Sequence, residues 1–400
     1  MKKIIINTIC AFGTLPLLPN SLKGIPIYLL FVLSIILVRK SENSIKFPYK
    51  KVVITSSLYL ILLPSLLYSE NLFRIDKQLS SRIALLLIPI TFGLLYKSHF
   101  KISEKIIRRL SKTYTFCAII FAIVIIIYLG YLGVFTNKMS LHDAMSYINN
   151  EMRPINQHAI YASIFLAVPL IFSMVAFFKS KRKGKNLIYF LLEIIPMSIG
   201  LILMSKKGVL LATLASSIFL IIYFYKSIKS RIIIFFSLGV FLVLIFQVPR
   251  VKLLFSELVK KETYTKVSSK NSTSIRYAIY YCAISKIKES PIFGYGLGDV
   301  KNELKKCYKE NSLFSNPNEY YNSHNQYISY YLTTGIFALF TIVFFFINLL
   351  YKGVKDYDGL LIGLVIFFSI TMLFENILER QSGLTIFSFL ITCLYFYEKE

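Results

Sequence analysis

Five short polar segments of this 400-residue chain carry groups suited to binding phosphate and moving a proton. Met204-Ser205-Lys206-Lys207-Gly208 sets two ammonium groups beside a tight turn. After Thr273-Ser274-Ile275-Arg276, apolar residues recur at Ile279, Cys282 and Ile287 with roughly helical period, and Pro291 follows. With Thr273 or Ser274 as cap, Arg276 falls in the first turn, where free N–H groups and the dipole attract anions. Its planar guanidinium suits paired phosphate oxygens. Asn322-Ser323-His324-Asn325-Gln326 precedes a long apolar stretch. Capping by Asn322 or Ser323 puts His324 in a first turn, where the dipole disfavours a charged imidazole and leaves it able to accept a proton. His158 opens another apolar stretch in Gln157-His158-Ala159, in a supporting position, whereas His99 and His142 have no motif around them. The loop from Glu375 to Gln381, with Glu379 and Arg380, reads foremost as a structural ion pair. Each of the other segments has a plain reading too: snorkelling lysines, a solvated surface arginine, a capping histidine.

Pro291-Ile292-Phe293-Gly294-Tyr295-Gly296-Leu297-Gly298 is glycine-rich but lies in no βαβ unit, so it reads as a tight turn with close backbone approach and only weakly as a phosphate cradle.

The elements that must hold these groups are membrane helices. Charged residues make up 16% and hydrophobic residues 56%, against about 25% charged in an average soluble chain. The mean hydropathy is +0.62, which excludes soluble enzymes, nucleic-acid-binding modules and disordered tails. Apolar stretches fall near 3–18, 22–38, 52–68, 82–96, 113–135, 158–178, 187–204, 208–225, 232–248, 325–350, 359–374 and 383–397. The expected fold is an all-α polytopic membrane protein of about 12 transmembrane helices, or eleven, with one long, largely helical outer loop. The organisation is membrane helices over 1–248, the loop with its amphipathic helix over 249–323, and membrane helices over 324–400.

The net charge of +26 is mostly a sidedness signal. With the N-terminus in the cytoplasm, inner segments hold 24 Lys and Arg and the short outer loops 9, while the long segment, exempt from the rule, holds 13. Both termini are then cytoplasmic, and Lys206, Arg276 and His324 all fall at the outer face. The first stretch, with Lys2 and Lys3, lacks a cleavage pattern and reads as a retained helix. Cys10, Cys117 and Cys393 fall within spans, whereas Cys282 and Cys307 share the outer loop, where a disulfide can form. Glu193 is the one ionisable residue inside a span, too few for an ion-coupled transporter.

Ser205-Lys206-Lys207-Gly208 opening a span, Arg276 ahead of the Pro291/Gly294/Gly296 turn, and Ser323-His324-Asn325-Gln326 with Gly335 beyond stand in an order that resembles the O-antigen ligase/polymerase family of integral membrane glycosyltransferases. The resemblance covers the C-terminal half and implies a multi-pass protein of the bacterial inner membrane with a periplasmic active site. It implies a glycan donor on undecaprenyl diphosphate, an acceptor hydroxyl on lipid A–core or a similar glycolipid or glycan, and neither metal nor nucleotide cofactor. By position, His324 is the base or acceptor-orienting residue, and Arg276 and Lys206, with Lys207, hold the diphosphate. Asn325, His158, Glu375 and Arg380 support them. The family usually has arginine where this chain has Lys206, which keeps the charge and loses the bidentate fork.

Physical argument runs the same way. A diphosphate leaving group needs cations where its charge develops, and an acceptor hydroxyl needs a neutral base within reach. The long loop, with 13 basic and 7 acidic residues, suits an anionic lipid-linked donor. A ligase is the first reading and a repeat-unit polymerase with the same donor chemistry the second. A lipid-linked glycan flippase comes last, because the spans lack charge for a polar passage. Membrane lipids are expected partners and nucleic acid is not.

Overall fold

A computed structural model describes residues 1–41, 45–136, 138–141, 143–144, 157–180, 183–204, 206–225, 272–311, 313–314 and 321–399, with single positions at 227, 232, 239 and 256. His142, Ser205 and nearly all of the expected span at 232–248 lie outside the described residues.

The described residues are helical, without strands, and carry several candidate membrane spans, as in a polytopic membrane protein. Its described helices are α1 Lys2–Ala11, α2 Ile25–Lys40, α3 Tyr49–Leu60, α4 Leu72–Arg82, α5 Ala84–Lys97, α6 Glu104–Tyr131, α7 Ala159–Lys179, α8 Lys183–Met204, α9 Lys207–Phe224, α10 Ser272–Glu289, α11 Val300–Glu310, α12 Gln326–Lys355, α13 Gly359–Thr371 and α14 Gln381–Phe396. Among the described residues six helices are long and apolar enough to cross a membrane, and the α4–α5 pair, bent by 42°, makes a seventh candidate. The stretches expected at 3–18, 52–68, 359–374 and 383–397 are helical but shorter than a full crossing. For the last two the reason is location. Every residue from Ser382 to Phe396 is buried, and α13 is buried along most of its length, so their apolar character serves the interior of the bundle.

The helices follow from their spacing. Along α6 the buried residues Ile107, Leu110, Tyr114, Ala118, Phe121, Ile125 and Leu129 recur every three or four positions, a stripe that faces the bundle while Phe116 and Ile127 face outward. Helix α7 is buried on nearly every side, so it sits centrally. Glu193, on α8, lines a cavity that also takes in Arg108, Lys112 and Lys179 and the carboxylates of Glu104 and Asp358.

Helices α10 and α11 form a small second core from Ile279, Cys282, Ala283, Leu304, Cys307 and Tyr308, closed against Leu332 of α12. Cys282 and Cys307 are joined by a disulfide. Lys286 of α10, almost fully buried, pairs with Glu289 at 2.7 Å and with Glu303 of α11 at 3.2 Å.

The Pro291–Gly298 segment docks this unit onto a break in α12. At Thr334 and Gly335 the backbone leaves helical geometry, with φ of 65° at Gly335. The freed carbonyls of Leu332 and Thr333 accept from the N–H groups of Tyr295 and Gly296, both at 2.8 Å. Gly294 and Gly296 also have positive φ. A Cβ at Gly335 would lie 1.9 Å from the Ile292 carbonyl oxygen, so glycine is required there. Tyr68 donates to the Phe293 carbonyl at 2.8 Å, and the backbone N–H of Glu70 donates to Asp299 at 2.7 Å, tying the same turn to the region before α4.

Candidate functional site

Two loops meet at the end of the bundle that carries α10 and α11. One, Asn322 to Asn325, enters α12; the other, Met372 to Arg380, joins α13 to α14. Backbone and side chains stitch them together. The Gln326 N–H donates to the Met372 carbonyl at 2.8 Å, the Leu378 N–H donates to Gln326 Oε1 at 2.9 Å, and Asn376 Nδ2 donates to Ser323 Oγ at 3.2 Å. The first loop has no regular structure and the second only a 3-10 turn at Ile377–Glu379, so these bonds fix their relative position.

That stitching sets Glu375 between two sequence-expected residues. Its Oε2 lies 3.1 Å from His324 Nδ1 and its Oε1 accepts from Arg276 Nη2 at 2.9 Å. The Glu375 side chain is 13% exposed, less than half the exposure of either partner. A carboxylate can only accept, so the contact is a hydrogen bond when Nδ1 carries the proton, and in that tautomer Nε2 has its lone pair for another partner. The arrangement is an oriented imidazole beside an arginine, joined through one acid.

Local backbone differs from expectation in two places. Asn325 caps α12, accepting from Tyr327 and Ile328 N–H at 3.0 and 3.1 Å. His324 therefore stands outside the helix, not in its first turn, with φ of 45° and its N–H bonded to Asn322 Oδ1 at 3.2 Å. Asparagine wins the cap because its short amide reaches two free N–H groups at once. Likewise α10 already includes Ser272, so Thr273 and Ser274 are not its cap and Arg276 lies beyond the first turn.

Lys206 is the N-cap of α9 and Lys207 its first residue. Cations at a helix N-terminus oppose the dipole, so the pair concentrates positive potential where an anion would be stabilised. Gly208 explains the placement: a Cβ there would lie 2.4 Å from the Cβ of Phe374. The start of α9 thus packs directly on the residue preceding Glu375.

His158 is the N-cap of α7, its Nδ1 accepting from the Ile160 N–H at 3.4 Å. Burial holds its pKa well below the ordinary imidazole value; Lys206 and Arg380 push it further down, Glu375 opposes them, and His324 lowers it again. One neutral imidazole therefore feels Lys206, Arg380, Glu375 and His324 together, so these residues share a single neighbourhood.

Arg380 is the N-cap of α14. Glu375 pairs with Arg276 and His324, and among the described residues Arg380 has no carboxylate within 4 Å. The structural ion-pair role expected of the 375–381 loop is thus carried by pairs to other elements, Glu375 with Arg276 of α10 and Glu379 with Arg82 of α4.

Tyr280 escaped the sequence reading. It follows Arg276 by four residues and so shares its helix face, which is the signal that could have found it. Its hydroxyl bonds the Asn325 side chain, and burial raises its pKa while Arg276 lowers it. Lys23 was likewise set aside as a loop cation. It is fully buried, with Nζ 3.0 Å from both Asn20 Oδ1 and Ser382 Oγ, two residues beyond Arg380.

No curated protein matches the chain. Residues 192–343, from within α8 to the middle of α12, match the family model described as O-antigen ligase. That segment, which contains Lys206, Lys207, Arg276, His324 and Asn325, is what this chain shares with the O-antigen ligase family.

Proposed function

We propose that this chain transfers a glycan from undecaprenyl diphosphate to an acceptor hydroxyl at the periplasmic face of the inner membrane, as an O-antigen ligase. The observation that carries the reading is the Glu375 carboxylate held between His324 and Arg276, at 3.1 and 2.9 Å. Glu375 orients the imidazole and favours the charge it gains, the part an acid plays behind a histidine base. His324 Nε2 takes the proton of the acceptor hydroxyl as its oxygen bonds the anomeric carbon. The bond from that carbon to the diphosphate oxygen breaks, and undecaprenyl diphosphate leaves with the electron pair. Arg276, Lys206 and Arg380 supply positive charge for the oxygens that become anionic.

Two observations support the sidedness. The Cys282–Cys307 disulfide belongs to the segment that brings Arg276 to the site, and such bonds persist in the periplasm and not in the cytosol. The distribution of basic residues, 24 inside against 9 in short outer loops, puts both termini on the other side.

The test is a strain deleted for this chain and complemented with variants, its surface polysaccharide resolved on gels. The deletion retains long glycan on the carrier lipid, and the unsubstituted chain moves it to the terminal acceptor. His324→Ala lowers transfer about 100-fold or more while the protein stays membrane-inserted. Arg276→Ala and Lys206→Ala raise the donor concentration needed. Full activity of His324→Ala overturns the base assignment, and single repeats on the final acceptor in the deletion strain mean a polymerase instead.

A further inference from the structure

Beside the His324 cluster lies a second cleft, of about 430 Å³, between α4, α11 and the two stitched loops. Four cations line it, Arg74, Lys77, Arg82 and Lys301, against one carboxylate, Glu379. That carboxylate is already engaged. Its Oε1 accepts from Ser329 Oγ at 2.6 Å and from Asn376 Nδ2 at 2.8 Å, and Arg82 stands 3.8 Å away. The cleft therefore carries a strong excess of positive charge.

Arg82 is the most deeply set of the four cations. It is 4% exposed, its Nη1 bonds Gln78 Oε1 at 2.7 Å, and its Nε has no hydrogen-bond partner. Held between Gln78 and Glu379, this guanidinium keeps its positive charge fixed in the cleft wall. Across the cleft, Lys301 is pressed toward its neutral form by burial and by the nearby charges of Lys305, Arg74 and Lys77. Such mutual repulsion is relieved when an anion sits among the cations.

The remaining lining suits a sugar. Asn322, Ser323, Ser329 and Asn376 offer amides and hydroxyls, the groups that exchange hydrogen bonds with ring hydroxyls. The volume falls within the range of small-ligand sites. The wall is shared with the transfer site, since Ser323 precedes His324 and Asn376 follows Glu375.

We propose that this cleft is an acceptor subsite that holds an anionic sugar unit, a sugar phosphate or a uronic acid, and so presents a neighbouring hydroxyl to His324. The inference rests on reading the His324–Glu375–Arg276 cluster as the transfer site. It assigns Arg74, Lys77, Arg82 and Lys301 to the acceptor, and leaves Arg276 and Lys206 to the donor diphosphate.

The chain has no tryptophan, so Ser81→Trp, at an exposed position on the cleft rim, gives a reporter confined to it. The full-length variant in detergent is titrated with glucose 6-phosphate, glucuronate, inorganic phosphate and glucose. The expected result is a saturable fluorescence change with at least one anionic sugar, and binding about tenfold weaker or worse for glucose and for inorganic phosphate. Which anionic sugar responds tells a phosphate from a carboxylate ligand. Adding Lys77→Ala and Lys301→Ala weakens binding at least about tenfold, while Lys206→Ala leaves it unchanged. The same ligand order is read in the unsubstituted chain as a rise in its unfolding midpoint. No response to either anionic sugar in both measurements, equal binding of glucose or of phosphate alone, or loss in Lys206→Ala overturns the proposal. In transfer assays the double variant raises the acceptor KM and leaves the donor KM alone; a raised donor KM overturns it as well. A chain that transfers glycan with a silent cleft sinks only this inference. A fully active His324→Ala chain sinks the transfer-site reading and leaves the binding result in place.

Discussion

His324 occupies a backbone conformation that few side chains adopt. A φ of 45° costs about 1–3 kcal/mol for a residue with a Cβ, and here the surrounding bonds hold it: Asn322 takes its N–H, Asn325 caps the next residues, and Glu375 takes Nδ1. Residue types in the sequence pointed to His324, Arg276 and Lys206, because the chain has only four histidines and cations at the outer face run against the positive-inside bias. Glu375 was legible as an acid and not as the joint, since nothing in a one-dimensional string says that position 375 faces positions 276 and 324. His158 supplies the prediction at this scale. Its pKa is lowered in the folded chain, chiefly by burial, so below about pH 6.5 the unfolded chain binds a proton that the native imidazole refuses. Stability is therefore complete above that pH and falls as the solution is acidified toward the native pKa. His158→Asn keeps a side-chain acceptor for the Ile160 N–H but does not titrate. Thermal unfolding in detergent at about pH 7.5 and about pH 5.5 should show a smaller drop for this variant than for the unsubstituted chain. Identical drops would mean that the imidazole is not buried uncharged.

Helix α12 shows what an element contributes. Its first eight residues, Gln326 to Thr333, carry the capped turn beside His324, and the break at Thr334 and Gly335 gives two carbonyls to the Pro291–Gly298 turn. Through that pairing the α10–α11 unit, and with it Arg276, is set against the His324 loop. Helix existence was plain from apolar periodicity, and the turn from its glycines. The break was not, because Gly335 alone looks like any tolerated glycine in a membrane helix; its partner at Ile292 is more than forty positions away in sequence. Span length was misjudged for the same kind of reason: α13 and α14 are as apolar as a lipid-facing helix because they are packed inside the bundle. Gly335→Ala must place a methyl where the Ile292 oxygen lies, at a φ that alanine disfavours. It should destabilise by more than about 2 kcal/mol, read as a lowered unfolding midpoint, with transfer lost in parallel. Gly239→Ala is no control for this, since its surroundings are open; Gly298→Ala is, being crowded by the Asn71 carbonyl, without a positive φ. A Gly335→Ala chain as stable as the unsubstituted one would show that the docked turn does not depend on the break.

At the scale of the whole molecule, charge and sulfur chemistry divide the protein into two faces. Cations outnumber acids everywhere, yet those that converge on acids or on one another at the α10–α11 end are bound into the site: Arg276 with Glu375, Arg82 with Glu379, Lys286 with Glu289 and Glu303. Away from that site Arg108 pairs, among the described residues, with Glu104 on its own helix, at 3.1 Å and largely exposed, an interaction worth little in water. In the proposed orientation its charge belongs to the cytoplasmic side. The cysteines make this division measurable. Cys10, Cys117 and Cys393 are buried, and Cys282 and Cys307 are bonded to each other, so the native chain presents little thiol background to a reagent. Lys288→Cys, exposed at the end of α10, and Arg108→Cys, exposed at the start of α6, sit on the two faces. A membrane-impermeant maleimide added to cells with a permeabilised outer membrane should modify Lys288→Cys and spare Arg108→Cys until the inner membrane is opened. The reverse pattern would put His324, Arg276 and Lys206 in the cytoplasm, where a periplasmic lipid-linked glycan cannot reach them.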